Sequence, residues 1–223
     1  MKILIVGATG MVGQGVLREC LAAPDVSEVT VLGRTKIESM HPKLRQLVQD
    51  DLFDLAPVES ALRGMDACFF CLGVSSSGMS EAAYQHITYD LTLAIASVLA
   101  RLNPAMTFAY VSGAGTDSTE RGRTMWARVK GQTENALNAL SFASVYLFRP
   151  AIIQPMHGIE SKTASYRLFY KLAKPLLPLM TLLFPKFAVT TQAIGLTMLN
   201  AARQRSGRFV LESRDIAHLA RNG

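Results

Sequence analysis

The sequence predicts an α/β fold, a doubly wound parallel sheet in a single domain, and three observations carry that prediction. Six short, nearly continuous apolar runs alternate with stretches of helical spacing, the pattern of parallel strands covered on both faces. A glycine-rich turn, Gly7-Ala8-Thr9-Gly10-Met11-Val12-Gly13, stands between the first run and the first helical stretch. The 223 residues, 49% hydrophobic and 18% charged, can fill one large core, and no stretch reads as a linker.

The strands follow from the apolar runs. Lys2 to Val6 ends in the glycine turn, and Glu28 to Leu32 is β-branched and stops at Gly33. Leu47 to Gln49 makes a short third run, followed by Ala67 to Leu72, Met106 to Val111 and Ser144 to Phe148. Helical character lies between them at Met11–Ala22, Val58–Arg63, Glu81–Arg101 and Thr124–Leu140. Right-handed crossovers should connect the parallel strands. After Pro150 the rhythm changes. Ser161 to Lys174 and Thr191 to Arg203 read as helices, Arg208 to Leu211 as a short strand, and Asp215 to Leu219 as a closing helix. The tail is too small to fold alone, so residues 156–206 are expected to form a small helical cap on the substrate side of one domain spanning 1–223.

Composition narrows the function. The net charge of +6 is spread along the chain without a basic run, so nucleic-acid binding does not follow, whereas an anionic ligand would suit it. Three cysteines, Cys20, Cys68 and Cys71, are odd in number and lie in apolar surroundings, against a secreted disulfide scaffold. Cys68 and Cys71 sit on one strand, whose alternation turns their thiols to opposite faces, and the four histidines lack metal-ligand spacing. No metal is expected. The opening residues do not read as a signal peptide, and a cytoplasmic location is expected.

Each glycine of the first turn has a task. Gly7 permits the tight turn, Gly10 lets backbone approach a pyrophosphate, and Gly13 lets helix and strand pack closely. With Thr9, Met11 and Val12 between them, they present the N–H groups and positive dipole end of the helix to phosphates. This is a dinucleotide-binding, Rossmann-like turn; without a Gly-Lys-Ser/Thr ending it is not a triphosphate loop. At the end of the second strand, an acidic residue would bond the ribose 2′-hydroxyl of NAD. The chain has Gly33-Arg34-Thr35-Lys36 there, with Arg34 suited to a 2′-phosphate and Lys36 adding charge. NADP(H) is therefore expected ahead of NAD(H).

Further motifs join these. Asp50-Asp51-Leu52 follows the third strand, Cys71-Leu72-Gly73 the fourth, Val129-Lys130-Gly131 with Glu134 lies in the fifth helix, and Phe148-Arg149-Pro150 ends the sixth strand. With the glycine turn, they resemble the atypical short-chain dehydrogenase/reductases, in the NAD(P)-binding, epimerase-like branch related to the Tat-interacting proteins. The resemblance covers roughly residues 1–155. It implies that Asp51 and Leu52 flank the adenine, that Leu72 and Gly73 pass the nicotinamide-side ribose, and that Lys130 bonds ribose hydroxyls. Pro150 to Ile152 would back the nicotinamide.

The same resemblance implies acid–base catalysis by a Tyr, with a Lys four residues on along one helix face and a Ser at the end of the fifth strand. Lys130 and Ser112 fit, but Trp126 stands where the Tyr would be. An indole N–H donates a hydrogen bond and does not shuttle protons near neutral pH. Tyr84, His86, Tyr89 and Tyr110 lack the matched spacing. Ser112, Lys130 and Trp126 are the candidate catalytic group, in an oxidoreductase or epimerase-like enzyme acting on a small organic substrate. A non-catalytic NADP(H) sensor that regulates a protein partner is the other reading. The apolar segment Leu172 to Val189 is cut by prolines and flanked by lysines, so it is not expected to span a membrane. It suits a lid first, then a self-association surface, then peripheral membrane contact.

Overall fold

The computed structural model describes residues 1–159, 188–204 and 207–222. Their order is β1 (Lys2–Val6), α1 (Met11–Ala22), β2 (Glu28–Gly33), β3 (Leu44–Val48), a 3-10 turn (Ala56–Leu62) and β4 (Ala67–Phe70). Then come α2 (Glu81–Gln85), a π-helical turn (His86–Asp90), α3 (Leu91–Leu102), β5 (Thr107–Val111), α4 (Met125–Ala139) and β6 (Ser144–Arg149). The described tail holds β7 (Ile152–Gln154), β8 (Ala188–Thr190), α5 (Thr191–Gln204), β9 (Gly207–Glu212) and α6 (Ser213–Asn222).

Seven strands form one parallel sheet in the order β3-β2-β1-β4-β5-β6-β9, so the fold is the expected doubly wound one. Strand alternation feeds two cores. Ile3, Ile5 and Phe69 join one with Val16, Ile194 and Met198, while Leu4, Val6 and Phe70 join the other with Ile95, Leu99 and Phe108. Both faces of the central strands are therefore dry, which is why those strands read as continuous apolar runs.

The differences from expectation have local causes. Strand β3 begins three residues earlier than its apolar run because it is an edge strand, half-buried, with Arg45 and Gln46 inside it. The stretch at 58–63 is a 3-10 turn, with Pro57 at its start. The helix expected over 81–101 is continuous but contains the π turn. There the Thr88 carbonyl accepts hydroxyls from Thr92 at 2.7 Å and from Thr133 of α4 at 3.5 Å. The run at 208–211 becomes the seventh strand, hydrogen-bonded to β6.

Of the stretch 156–206, the part with the expected helix 161–174 lies outside the described residues. Helix α5 packs directly on α1: a Cβ at Gly15 would come within 2.6 Å of Thr191, and one at Gly195 within 2.9 Å of Glu19. Arg203 pairs with Asp25 at 2.8 Å, and Thr197 and Asn200 donate to carbonyls of α6. These bonds hold the tail against the α1 face of the sheet. Among the described residues no helix is long and apolar enough to cross a membrane, and Leu172–Val189 is described only at Ala188 and Val189, both buried in β8.

Candidate active site in the crevice at the strand ends

Chain order reverses at β1, which pairs with β2 on one side and β4 on the other, and open α/β sheets bind ligands in the crevice above that reversal. The glycine turn sits there. Gly7 has φ +86° and its carbonyl accepts the Gly10 N–H at 3.1 Å. A Cβ at Gly7 would stand 2.5 Å from the Leu72 nitrogen, and one at Gly13 2.2 Å from the Gly7 carbonyl oxygen. Turn, helix and the end of β4 thus meet backbone to backbone. No side chain caps α1 and no carboxylate stands in its first turn, so its N–H groups and dipole remain available to an anion. The Thr9 carbonyl accepts from Gln14 at 3.1 Å, which braces the loop between the glycines.

Around this cradle, Arg34 and Lys36 are exposed beyond β2 and form no ion pair among the described residues. Asp51 is exposed, one carboxylate oxygen holding the Phe53 N–H at 2.8 Å, while Leu52 is buried as a floor. Gly73 lies exposed past β4 with no atom within 4 Å of where a Cβ would be. The Pro150 carbonyl accepts the Ala114 N–H at 2.9 Å, tying the ends of β5 and β6 together beside Ile152. These features fit a dinucleotide: a side-chain-free phosphate cradle, free cations past β2, and open space along β4.

The candidate catalytic residues divide. Ser112 is buried and its single hydroxyl proton faces two acceptors inside the protein, Glu134 Oε1 at 2.5 Å and the Phe148 carbonyl at 3.1 Å. Glu134, itself 1% exposed, is held by Arg149, whose Nε lies 3.1 and 3.2 Å from its two oxygens and whose Nη2 donates to it as well. Arg149 also reaches Ser118 Oγ at 2.5 Å. Lys130 is half-buried and donates to the Ser112 carbonyl. Trp126, one turn earlier, is half-buried with its ring edge 3.4 Å from where a Cβ on Gly115 would be. Tyr84 and Tyr110 are buried beneath, and burial pushes the Tyr110 phenol up.

The spacing at 126 and 130 showed one helix face, but not that Ser112 turns inward. The available signal was Glu134, four residues past Lys130, together with a strand-end arginine. Gly131 was also passed over: a Cβ there would stand 1.8 Å from the Asp117 carbonyl, so this glycine seats the 117–122 loop on α4. The cysteines are structural. Cys68 and Cys71 face different cores, and burial raises all three thiols, Cys71 to about 12. Among the described residues no cluster could hold a metal ion.

Burial lowers the Lys130 ammonium to about 8, against the opposing pull of Glu134. In the unfolded chain it returns to about 10.4. Between those values the unfolded chain keeps a proton that the folded chain has released, so this group makes stability rise with pH from about 8 to about 10.4. Urea midpoints at about pH 7 and about pH 9.5 should show that rise in wild type and a smaller one in Lys130→Met. An identical rise in both would refute the assignment.

Residues 7–151 match the family model described as NAD(P)H-binding. Protein HTATIP2 of Rattus norvegicus is 30% identical over 157 residues, which cover 68% of this chain and 62% of that protein. The mitochondrial protein FMP52 of Eremothecium gossypii is 29% identical over 155 residues, 69% of this chain and 66% of its own length. The chain therefore spans slightly less than two thirds of these relatives. Several fungal relatives are named mitochondrial, which overturns the expectation of a cytoplasmic protein. Among solved structures, the Bordetella bronchiseptica enzyme WbmH in complex with NAD+ aligns with TM-score 0.67 at 13% identity, covering 95% of this chain and 75% of that one. UDP-N-acetylglucosamine 4-epimerase from Bacillus cereus aligns with TM-score 0.66 at 18% identity, covering 98% and 83%. At such identities the likeness is one of fold.

Proposed function

The chain belongs to the NAD(P)H-binding family, and from that premise we propose that it binds NADP(H) and acts as an oxidoreductase on a small organic substrate. The observation that carries the cofactor choice is Arg34. It is an exposed guanidinium at the end of β2 with no carboxylate paired to it among the described residues, at the position where a 2′-phosphate would be read. Gly7, Gly10 and Gly13 with the N–H groups of Met11 and Val12 would take the pyrophosphate, and Asp51 with Leu52 the adenine. Leu72, Gly73, Lys130, Pro150 and Ile152 would line the nicotinamide end. When bound, the cofactor supplies a hydride; the protein binds, orients and moves the proton.

A charge-assisted contact contributes about 1.5–3 kcal/mol, hence about ten-fold or more in affinity. Calorimetric titration should show NADPH bound more tightly than NADH, with Arg34→Ala removing most of the difference. Equal affinities in wild type would overturn the choice. Trp126 in place of a tyrosine favours the second reading, a cofactor-occupied protein that regulates a partner without turnover.

A further inference from the structure

The crevice needs a proton donor for any carbonyl reduction, and the side chains around it narrow the choice. The Ser112 hydroxyl is turned toward Glu134 and the Phe148 carbonyl. The Trp126 indole has only a weakly acidic N–H. Tyr84 and Tyr110 are buried below the strand ends, away from solvent. Lys130 differs from all of these. Its ammonium has three protons, one of which goes to the Ser112 carbonyl, and it stands half-exposed at the end of β5 among the residues assigned to the nicotinamide end.

We propose that Lys130 is itself the proton donor of the reaction, giving a proton to the carbonyl oxygen of an aldehyde or ketone as hydride adds to the carbonyl carbon. The inference rests on the oxidoreductase reading above. The balance is complete: the C=O bond becomes C–H and O–H, NADPH is oxidised to NADP+, and Lys130 is left as a neutral amine that regains its proton from water. Burial supports the role, since an ammonium near 8 transfers a proton at neutral pH far more readily than an ordinary lysine. Around it, α4 supplies Glu134, which favours the charged form, with Arg149 of β6 already committed to that carboxylate. Tyr110 of β5 and Tyr84 of α2 stay neutral below it. Ser112 is then a positioning residue, whose carbonyl aims the ammonium.

Two measurements test this. In the cofactor-free protein, a pH titration of 13C-labelled lysine side chains, with Lys130→Arg identifying the signal, should give a midpoint near 8. With NADPH, reduction of an o-quinone probe should fall as pH rises through that midpoint. Lys130→Arg, still cationic but unable to release a proton, should keep NADPH affinity within about three-fold while kcat drops about 100-fold or more. A lysine midpoint above about 10 overturns the proposal without reference to cofactor. So does a protein that binds NADPH but does not turn the probe over, or a Lys130→Arg enzyme with undiminished kcat. Failure to bind NADPH or NADH at all removes the oxidoreductase reading, and the proposal with it.

Discussion

Glu134→Ala is expected to lower stability by about 3–5 kcal/mol, the range found when one partner of a buried ion pair is removed. The cost has a clear origin. The Glu134 side chain is 1% exposed and that of Arg149 13%, so the truncation leaves a guanidinium out of water. Its remaining partners are Ser118 Oγ and, at 3.8 Å, Glu212. In a chain of this size each kcal/mol moves Tm by about 2–4 °C, so a fall of about 6–20 °C should appear in a thermal melt. Glu134→Gln, which keeps shape and some hydrogen bonds, should fall between wild type and the alanine variant. A double variant, Glu134→Leu with Arg149→Met, should recover much of the loss, because the penalty lies in the stranded charge more than in the worth of the pair. An alanine variant within about 1 kcal/mol of wild type would mean that water reaches Arg149 freely.

That network also marks where sequence reading stopped. The sheet was legible because its central strands are dry on both faces, so Ile3-Leu4-Ile5-Val6 and Ala67-Cys68-Phe69-Phe70 stand out as unbroken apolar runs. The phosphate cradle was legible because glycine is the only residue that fits at 7 and 13, and local spacing fixes both. Edges were less so. β3 has Arg45 and Gln46 within it, and β9 has exposed Phe209 and Val210, so neither shows a continuous pattern. The direction of the Ser112 hydroxyl was not legible at all. It depends on Glu134, twenty-two positions away, and on Arg149, fifteen beyond that, meeting at one point. No period in the sequence encodes that meeting. Glu134 and Arg149 could be noticed as neighbours of Lys130 and of a strand end, but only the fold joins them.

The glycine cradle gives the second large effect. Gly13→Ala would place a Cβ 2.2 Å from the Gly7 carbonyl oxygen and 2.8 Å from Ala8 Cα. Both obstacles are backbone, and the Gly7 carbonyl already closes the turn by accepting from Gly10. The turn must therefore open, moving the N–H groups of α1 off a bound pyrophosphate. NADPH affinity is expected to fall about 100-fold or more, equivalent to about 2.7 kcal/mol, with about 1–3 kcal/mol of stability lost to overpacking. Gly10→Ala separates binding from folding. Its φ of −79° and ψ of 164° suit any residue, and its Cβ would meet only the Gly7 oxygen at 3.4 Å. Stability should change by less than about 1 kcal/mol, the scale of an unfavourable N-cap. Affinity should nevertheless fall about ten-fold or more, because the new methyl stands where a phosphate oxygen would approach the helix N–H groups. Calorimetric titration beside a urea melt reads both quantities on each variant. A Gly10→Ala protein that binds NADPH like wild type would mean that the phosphates do not approach this turn, and the cofactor would have to lie elsewhere along the strand ends.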